Sequence, residues 1–229
     1  MIPTPDVSHL TSLPYLNHVY EPAEDTFALL DALEQDADKL QNQNPRLVVE
    51  IGCGSGCVSA FMANILKSQT TEKGTSAAFL CTDINPIALD ATSETAKRND
   101  LGHSLSVIRM NALDGLMQRC KGKIDVLLFN PPYVPTFEEE EQMAQMKASI
   151  EGSWAGGSLG RRLLDELLPQ LPHLLSPNGG RFYFVAIKQN QPEELVEQLS
   201  SYGLTADICL SRRAGREHLF IIRAIRAEL

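Results

Sequence analysis

Two stretches of the chain place chemistry-bearing residues where an ordinary strand end would need none. The first is Asn130-Pro131-Pro132-Tyr133, directly after the apolar run Ile124–Phe129. An –NH2 nitrogen on an sp2 carbon is a poor nucleophile, because its lone pair is delocalised into the adjacent π system. Two fixed hydrogen-bond acceptors turn that lone pair out of conjugation, and the Asn130 side-chain oxygen and the Pro131 carbonyl are suited to be those two. Pro131 and Pro132 fix φ and carry no N–H that would compete for an acceptor. Tyr133 offers an aromatic face on which a planar group can stack. The plainer alternative is a proline-rich turn closing a strand.

The second stretch is Glu50-Ile51-Gly52-Cys53-Gly54-Ser55-Gly56, between a β-type run and a helical one. Glycines at Gly52, Gly54 and Gly56 permit a tight turn and a close approach of backbone to a ligand. The spacing is GxGxG rather than the GxGxxG of a dinucleotide fingerprint, and a purely structural turn remains open. The next strand ends Cys81-Thr82-Asp83-Ile84-Asn85, which brings Asp83 to the same sheet edge, where a carboxylate accepts both hydroxyls of a ribose. The alternative role of Asp83, a helix cap, is already filled by Asn85. After the third strand, Asn111 and Ala112 fall where an adenine edge would lie. Strand ends converging on one crevice describe a nucleoside site.

The elements that must position these residues alternate. Apolar spacing predicts a helix over Pro22–Leu40, with Pro22, Glu24 and Asp25 suiting its N-terminus. Strands follow at Leu47–Ile51, Ala78–Thr82, Leu105–Met110, Ile124–Phe129 and Gly180–Ile187. Helices are expected at Val58–Leu66, Pro86–Asn99, Leu159–Leu175 and Pro192–Tyr202, and Lys67–Ser76 reads as a polar loop. Ala206–Leu210 and Glu217–Ile225, around Arg212–Arg216, read as a closing antiparallel pair. The pattern is an α/β domain over 20–229, with a mostly parallel sheet, helices on both faces and an antiparallel hairpin at one edge. Residues 1–19 are expected to form an irregular arm.

The 229 residues suffice for one domain with a substantial core, and 43% hydrophobic with 21% charged residues is ordinary for a globular chain. The net charge of −9 disfavours a partner bound chiefly through nucleic-acid phosphates. Five scattered cysteines, with no CxxC pair, suit reduced thiols in a cytoplasmic or nuclear compartment. Cys53 and Cys57 read as small packing residues rather than a redox pair. His9, His18, His103, His173 and His218 show no ligand spacing, so no metal site is expected. No signal peptide is evident, and no apolar stretch approaches the ~20 residues of a membrane span.

The glycine loop with its acid, E-x-G-x-G-x-G, and Asp83 resemble motifs of the class I S-adenosylmethionine-dependent methyltransferases. The resemblance is closest to the eukaryotic and archaeal branch of the HemK-type enzymes, carried by Val19-Tyr20-Glu21-Pro22-Ala23-Glu24-Asp25-Thr26-Phe27, Cys81–Pro86, Phe129–Val134 and Trp154-Ala155-Gly156-Gly157. It implies a single Rossmann-like domain and S-adenosylmethionine as cofactor. Tyr20, Thr26, Glu50, Gly52, Gly54, Gly56, Asp83, Ile84, Asn111, Ala112 and Asn130 would line the donor site. Thr26 would contact the donor's carboxylate end, Glu50 its amino group and Asp83 its ribose. Asn111 stands where relatives often carry Asp, and its side-chain oxygen can still accept from the adenine amine. The implied substrate is the glutamine of the Gly-Gly-Gln motif in the class I translation termination factor. The implied partner is a small zinc-binding activator pairing with an exposed edge strand, for which Leu105–Met110 is the candidate; an edge covered within the chain is the alternative.

The same clamp would serve an N6-adenine methyltransferase, against which the charge counts, and related enzymes are implicated in histone lysine methylation. A nucleoside-binding scaffold with a dead site is the non-enzymatic alternative. Glu138-Glu139-Glu140-Glu141 would either meet a basic substrate at the crevice mouth or begin a solvated helix. Trp154 is expected to pack a loop over the site.

Overall fold

The computed structural model describes residues 1–67, 77–101, 104–133, 159–215 and 217–228. Seven strands form one sheet in the order β3-β2-β1-β4-β5-β7-β6. They are β1 (Leu47–Ile51), β2 (Ala78–Asp83), β3 (Leu105–Arg109), β4 (Val126–Phe129), β5 (Arg181–Ile187), β6 (Leu204–Ala214) and β7 (Glu217–Arg226). β1 to β5 pair in parallel, and β7 runs antiparallel to both β5 and β6. The order reverses between β1 and β4, which opens a crevice beyond their carboxyl ends.

Side chains alternate across the sheet, as period-two geometry requires. Val48, Val126, Leu128, Tyr183 and Val185 face one apolar layer. Val49, Ile51, Leu127, Phe129, Phe182 and Phe184 face the other. The first layer is closed by α1 (Glu24–Gln35), α2 (Ala37–Gln43) and α3 (Cys57–Lys67), and α4 (Pro86–Arg98) packs beside α3 over β2 and β3. A short helix, α5 (Met117–Cys120), went unanticipated. The second layer is closed by α6 (Arg162–Leu167), α7 (Leu171–Leu174) and α8 (Pro192–Ser201).

The departures from expectation have local causes. The helix expected over Pro22–Leu40 breaks at Asp36, whose side chain turns inward and is only 5% exposed. There it accepts from Tyr183 Oη at 2.9 Å and Lys39 Nζ at 2.7 Å, and it pairs with Arg223 of β7. The helix expected over Leu159–Leu175 is interrupted by Pro169 and Pro172, each lacking the N–H that a continuous helix needs. Ile124 lies outside β4 and makes an isolated bridge to Leu175. β6 and β7 run further than expected, over Leu204–Ala214 and Glu217–Arg226. Residues 1–19 form a short 3-10 turn, Ser8–Thr11, and further turns docked on α4. Among the described residues no helix is long and apolar enough to cross a membrane.

Gly56 shows what the glycine loop requires. Its φ is +74°, and a Cβ there would lie 2.9 Å from Thr92 Cα, which is backbone and cannot step aside. Gly56→Ala is expected to lower unfolding stability by about 2 kcal/mol, from left-handed strain plus overpacking against α4. Urea titration checks it; an unchanged midpoint would mean that the loop and α4 separate freely.

Candidate active site

The crevice at the reversal of strand order is a cavity of about 400 Å3. β1, β2 and β4 each deliver a loop into it, and the start of α1 closes one side. Its walls include Tyr20, Thr26, Glu50, Gly52, Gly54, Asp83, Ile84, Asn111, Ala112 and Asn130–Tyr133, so nearly all the sequence-predicted site residues meet here. Gly56 does not: it lies behind the loop against α4. Its place is structural, while Gly52 and Gly54 border the cavity itself.

At one end the loop and Asp83 hold each other. Gly54 N–H donates to Asp83 Oδ2 at 3.0 Å, and Asn85 N–H donates to Oδ1 at 2.8 Å. Burial raises the Asp83 carboxyl above its ordinary range, and these backbone donors oppose that. Asn85 caps α4 by accepting from Ile87 N–H at 3.0 Å, so Asp83 is left for the cavity. Cβ atoms added at Gly52 or Gly54 would touch no protein atom closer than 3.7 and 3.9 Å, which leaves that surface open to a ligand. Asn111 Nδ2 donates to Asp114 Oδ2 at 3.3 Å, which turns its side-chain oxygen outward as an acceptor.

Glu50 is 4% exposed. It accepts from Ser59 N–H at 3.0 Å and from the Ser59 hydroxyl. Burial pushes its carboxyl up to about 8, with the Ser59 bonds opposing and the Asp83 charge adding. A buried acid of this kind on a cavity wall is primed for a cationic ligand group. Cys53 and Cys57 are buried free thiols, Cys53 pushed well up and Cys57 up to about 12, chiefly by burial. Cys57 packs in the first apolar layer, while Cys53 packs with Cys81 and Leu89 and also lines the cavity.

The other end is built on Asp25, which the sequence marked only as an acid in the first turn of a helix. It is 3% exposed and collects donors from three segments. Its Oδ1 accepts from Tyr20 Oη at 3.1 Å, Thr26 N–H at 2.7 Å and Thr26 Oγ1 at 3.3 Å. Its Oδ2 accepts from Asn130 Nδ2 at 2.9 Å and Tyr133 Oη at 3.0 Å. Burial, then the Asp25 charge, pushes both phenols far up, so Tyr20 and Tyr133 remain donors. Because Asp25 only accepts, Asn130 must turn its –NH2 toward it. The Asn130 oxygen is left buried with no hydrogen-bond partner among the described residues. A buried orphan acceptor is costly to leave unmade, and Asn130 is one of the residues that line the cavity.

The turn carrying the clamp is also tied from behind. Asn190, fully buried, donates to the Tyr133 carbonyl at 2.8 Å and the Leu159 carbonyl at 2.8 Å, and accepts from Ile187 N–H at 2.7 Å. Gly160 passes so close that a Cβ would sit 2.0 Å from the Tyr133 oxygen. Neither residue carried a signal in the sequence beyond the glycine itself. Glu138–Glu141 and Trp154 lie outside the described residues, as does the stretch Trp154–Gly157. Among the described residues no His, Cys, Asp and Glu side chains cluster as a metal site would require.

The protein-family model described as methyltransferase small domain matches residues 26–150, more than half of the chain. A mouse protein named methyltransferase HEMK2 is 44% identical over 222 residues, covering 97% of this chain and 96% of its own. The fission yeast eRF1 methyltransferase catalytic subunit mtq2 is 41% identical, covering 99% and 96%. Among solved structures, the E. cuniculi Mtq2–Trm112 complex, responsible for methylation of the eRF1 translation termination factor, is 25% identical with a TM-score of 0.63, covering 91% of this chain and 99% of that one.

Proposed function

The chain belongs to the methyltransferase small domain family, and from that premise we infer that it methylates the side-chain amide nitrogen of the glutamine in the Gly-Gly-Gln motif of the class I translation termination factor. The observation that carries this reading is the orphan oxygen of Asn130, a residue that lines the cavity and whose –NH2 is held by Asp25. It is an acceptor waiting for a planar –NH2. The yeast and E. cuniculi relatives are named for methylation of eRF1, and a Methanocaldococcus jannaschii relative, 32% identical, is named as a putative protein N5-glutamine methyltransferase, which favours a protein glutamine over other planar amines.

The cavity residues suit S-adenosylmethionine as donor. When bound, it supplies an electrophilic methyl group on a sulfonium. Gly52 and Gly54 would leave room for its methionine part, Glu50 would hold its ammonium, Asp83 the ribose hydroxyls and Asn111 the adenine amine. Toward the acceptor, Asn130 Oδ1 and the Pro131 carbonyl receive the two amide hydrogens and turn the nitrogen lone pair toward the methyl. Tyr133, held by its hydroxyl on Asp25, keeps its ring in a fixed plane against the amide. Positioning and electrostatic complementarity then carry the rate. No strong base is required, because the methylated nitrogen sheds its proton readily.

A partner fits the opposite end of the sheet. β3 is an edge strand whose residues are all partly or fully exposed, and Leu105 and Val107 reach the apolar layer beneath. A small zinc-binding activator would extend the sheet there and remove an aggregation-prone edge; the E. cuniculi relative is solved in complex with a partner, Trm112.

The test is a methyl-transfer assay with the activator co-expressed, using labelled donor, the termination factor and, in parallel, duplex DNA and histone protein. Peptide mass spectrometry should place the methyl on the Gly-Gly-Gln glutamine. Label on DNA alone would replace this reading with an N6-adenine one, and label on histone lysine alone with a lysine one.

Glu50 gives a separate expectation. With its carboxyl near 8 in the free protein, binding a cation beside it at pH 7 should expel about one proton. The calorimetric enthalpy of donor binding should therefore vary with buffer ionisation enthalpy, and Glu50→Gln should abolish that variation. Equal enthalpies across buffers would place the donor's ammonium elsewhere.

A further inference from the structure

The N-terminal arm is fastened to α4, and α4 is fastened to the glycine loop. Asp6 and Asn99 exchange bonds at 2.9 and 3.0 Å, and Leu10 and Val19 pack on Ala88 and Ala91. At the centre of the arm sits His9, only 6% exposed, its ring edge-on to Tyr15. Its Nε2 lies 3.2 Å from the Ala91 carbonyl and 3.5 Å from Thr95 Oγ1. A carbonyl only accepts, so Nε2 carries the proton, and Nδ1 is bare and without a partner among the described residues. Thr95, itself fully buried, donates to the Ser55 carbonyl at 2.6 Å, while Thr92 donates to the Gly54 carbonyl at 3.1 Å. Gly54 and Ser55 line the cavity. Further along, the arm supplies His18, Val19 and Tyr20 to the same cavity, tied by Asn85 Nδ2 to the His18 carbonyl at 2.8 Å.

We propose that His9 and Thr95 are positioning residues for the donor: the docked arm holds the glycine loop in its binding shape through Thr95, and charging His9 releases the arm. The inference rests on the reading of the cavity as the S-adenosylmethionine site. The charged imidazole needs an acceptor at Nδ1, and the docked arm provides none. Desolvation accordingly holds His9 below its ordinary value, with the Ala91 carbonyl opposing. The charged groups facing it are Asp6 on the arm and Glu94 and Arg98 on α4; the two acids favour the charged ring and Arg98 disfavours it. The sign follows. A base whose value is lowered on docking leaves docking intact above its free value near 6.5 and weakens it as pH falls below that. Linkage makes donor binding tighten the arm as the arm tightens donor binding.

The experiment uses the chain co-purified with its activator and S-adenosylmethionine as probe, with calorimetry for affinity and hydrogen exchange for the arm. Thr95→Val should weaken donor binding about tenfold at pH 7.5, the loss of one buried hydrogen bond on the loop. Thr95→Ser should restore it. Between pH 7.5 and 5.5 the wild type should lose about three- to tenfold more affinity than His9→Gln, which donates to Ala91 but cannot charge. Titration of Glu50 is common to both and cancels in the comparison. Donor should slow exchange over residues 7–12 in the wild type and not in Thr95→Val. Superimposable pH profiles for wild type and His9→Gln, or unaltered affinity in Thr95→Val, overturn the strap and leave the donor site standing. No donor binding by the wild type overturns both.

Discussion

Asp25→Asn should lower the methylation rate at saturating donor about 100- to 1,000-fold, the scale of loss for one misaligned electrostatic contact at a reacting centre. The acid touches no reacting atom. Its effect runs through Asn130, whose –NH2 it holds at 2.9 Å, and through Tyr133 at 3.0 Å. An asparagine at this position has one acceptor oxygen in place of two and an –NH2 of its own. Asn130 is then free to flip, and a flipped amide presents a donor to a substrate that also donates. Single-turnover methylation, with the donor dissociation constant measured alongside, separates this from a failure to bind. A rate within threefold of wild type would mean that the amide is oriented by something other than Asp25.

Asn130→Ala is expected to cost more, about 1,000-fold or beyond in the methylation rate, because it removes the acceptor itself and leaves the remaining contact with the Pro131 carbonyl unable to set the lone pair. Asn130→Asp should not rescue it. That variant keeps an oxygen but sets a second carboxylate beside a nearly buried Asp25, and like charges at that distance force one of them to take a proton. The protonated partner then competes for the oxygen meant for substrate. Recovery of activity in Asn130→Asp to within tenfold of wild type would sink the idea that a neutral, oriented amide is the working group. Folding of both variants is checked by urea titration.

The sheet was legible in the sequence because its strands are short apolar runs ending in glycine, proline, asparagine or aspartate. β1 at Leu47–Ile51 falls where expected to the residue. The part of the cavity around Glu50, Gly52, Gly54, Asp83 and Asn111 was legible for a related reason: these residues end or directly follow strands, and the fold aligns strand ends. Asp25 was not legible, since an acid in a first helical turn is equally well placed to complement the helix dipole. Only the tertiary fold shows that its partners lie 105 and 108 residues away. The break at Asp36 was hidden likewise, its partners Tyr183 and Arg223 being 147 and 187 residues distant. The division of Leu159–Leu175 was in plain view, as Pro169 and Pro172 both forbid a continuous helix. Gly56 was read as a ligand contact because spacing alone cannot separate a glycine that faces a cavity from one that faces a helix.

β7 is the last strand in chain order but not the last in the sheet: it lies between β5 and β6. During synthesis the parallel half of the sheet can assemble as it emerges, while β5 waits with the Phe182–Val185 run at an unpaired border. β6 emerges next and cannot relieve it, having no place beside β5. For that interval the nascent protein presents an open, apolar edge, the feature by which partly folded chains recruit one another. The arrival of β7 ends the hazard and delivers Arg223 to Asp36, fastening the helix that bears Asp25. Maturation of the acceptor end and escape from aggregation are thus one event, and its timing belongs to the ribosome.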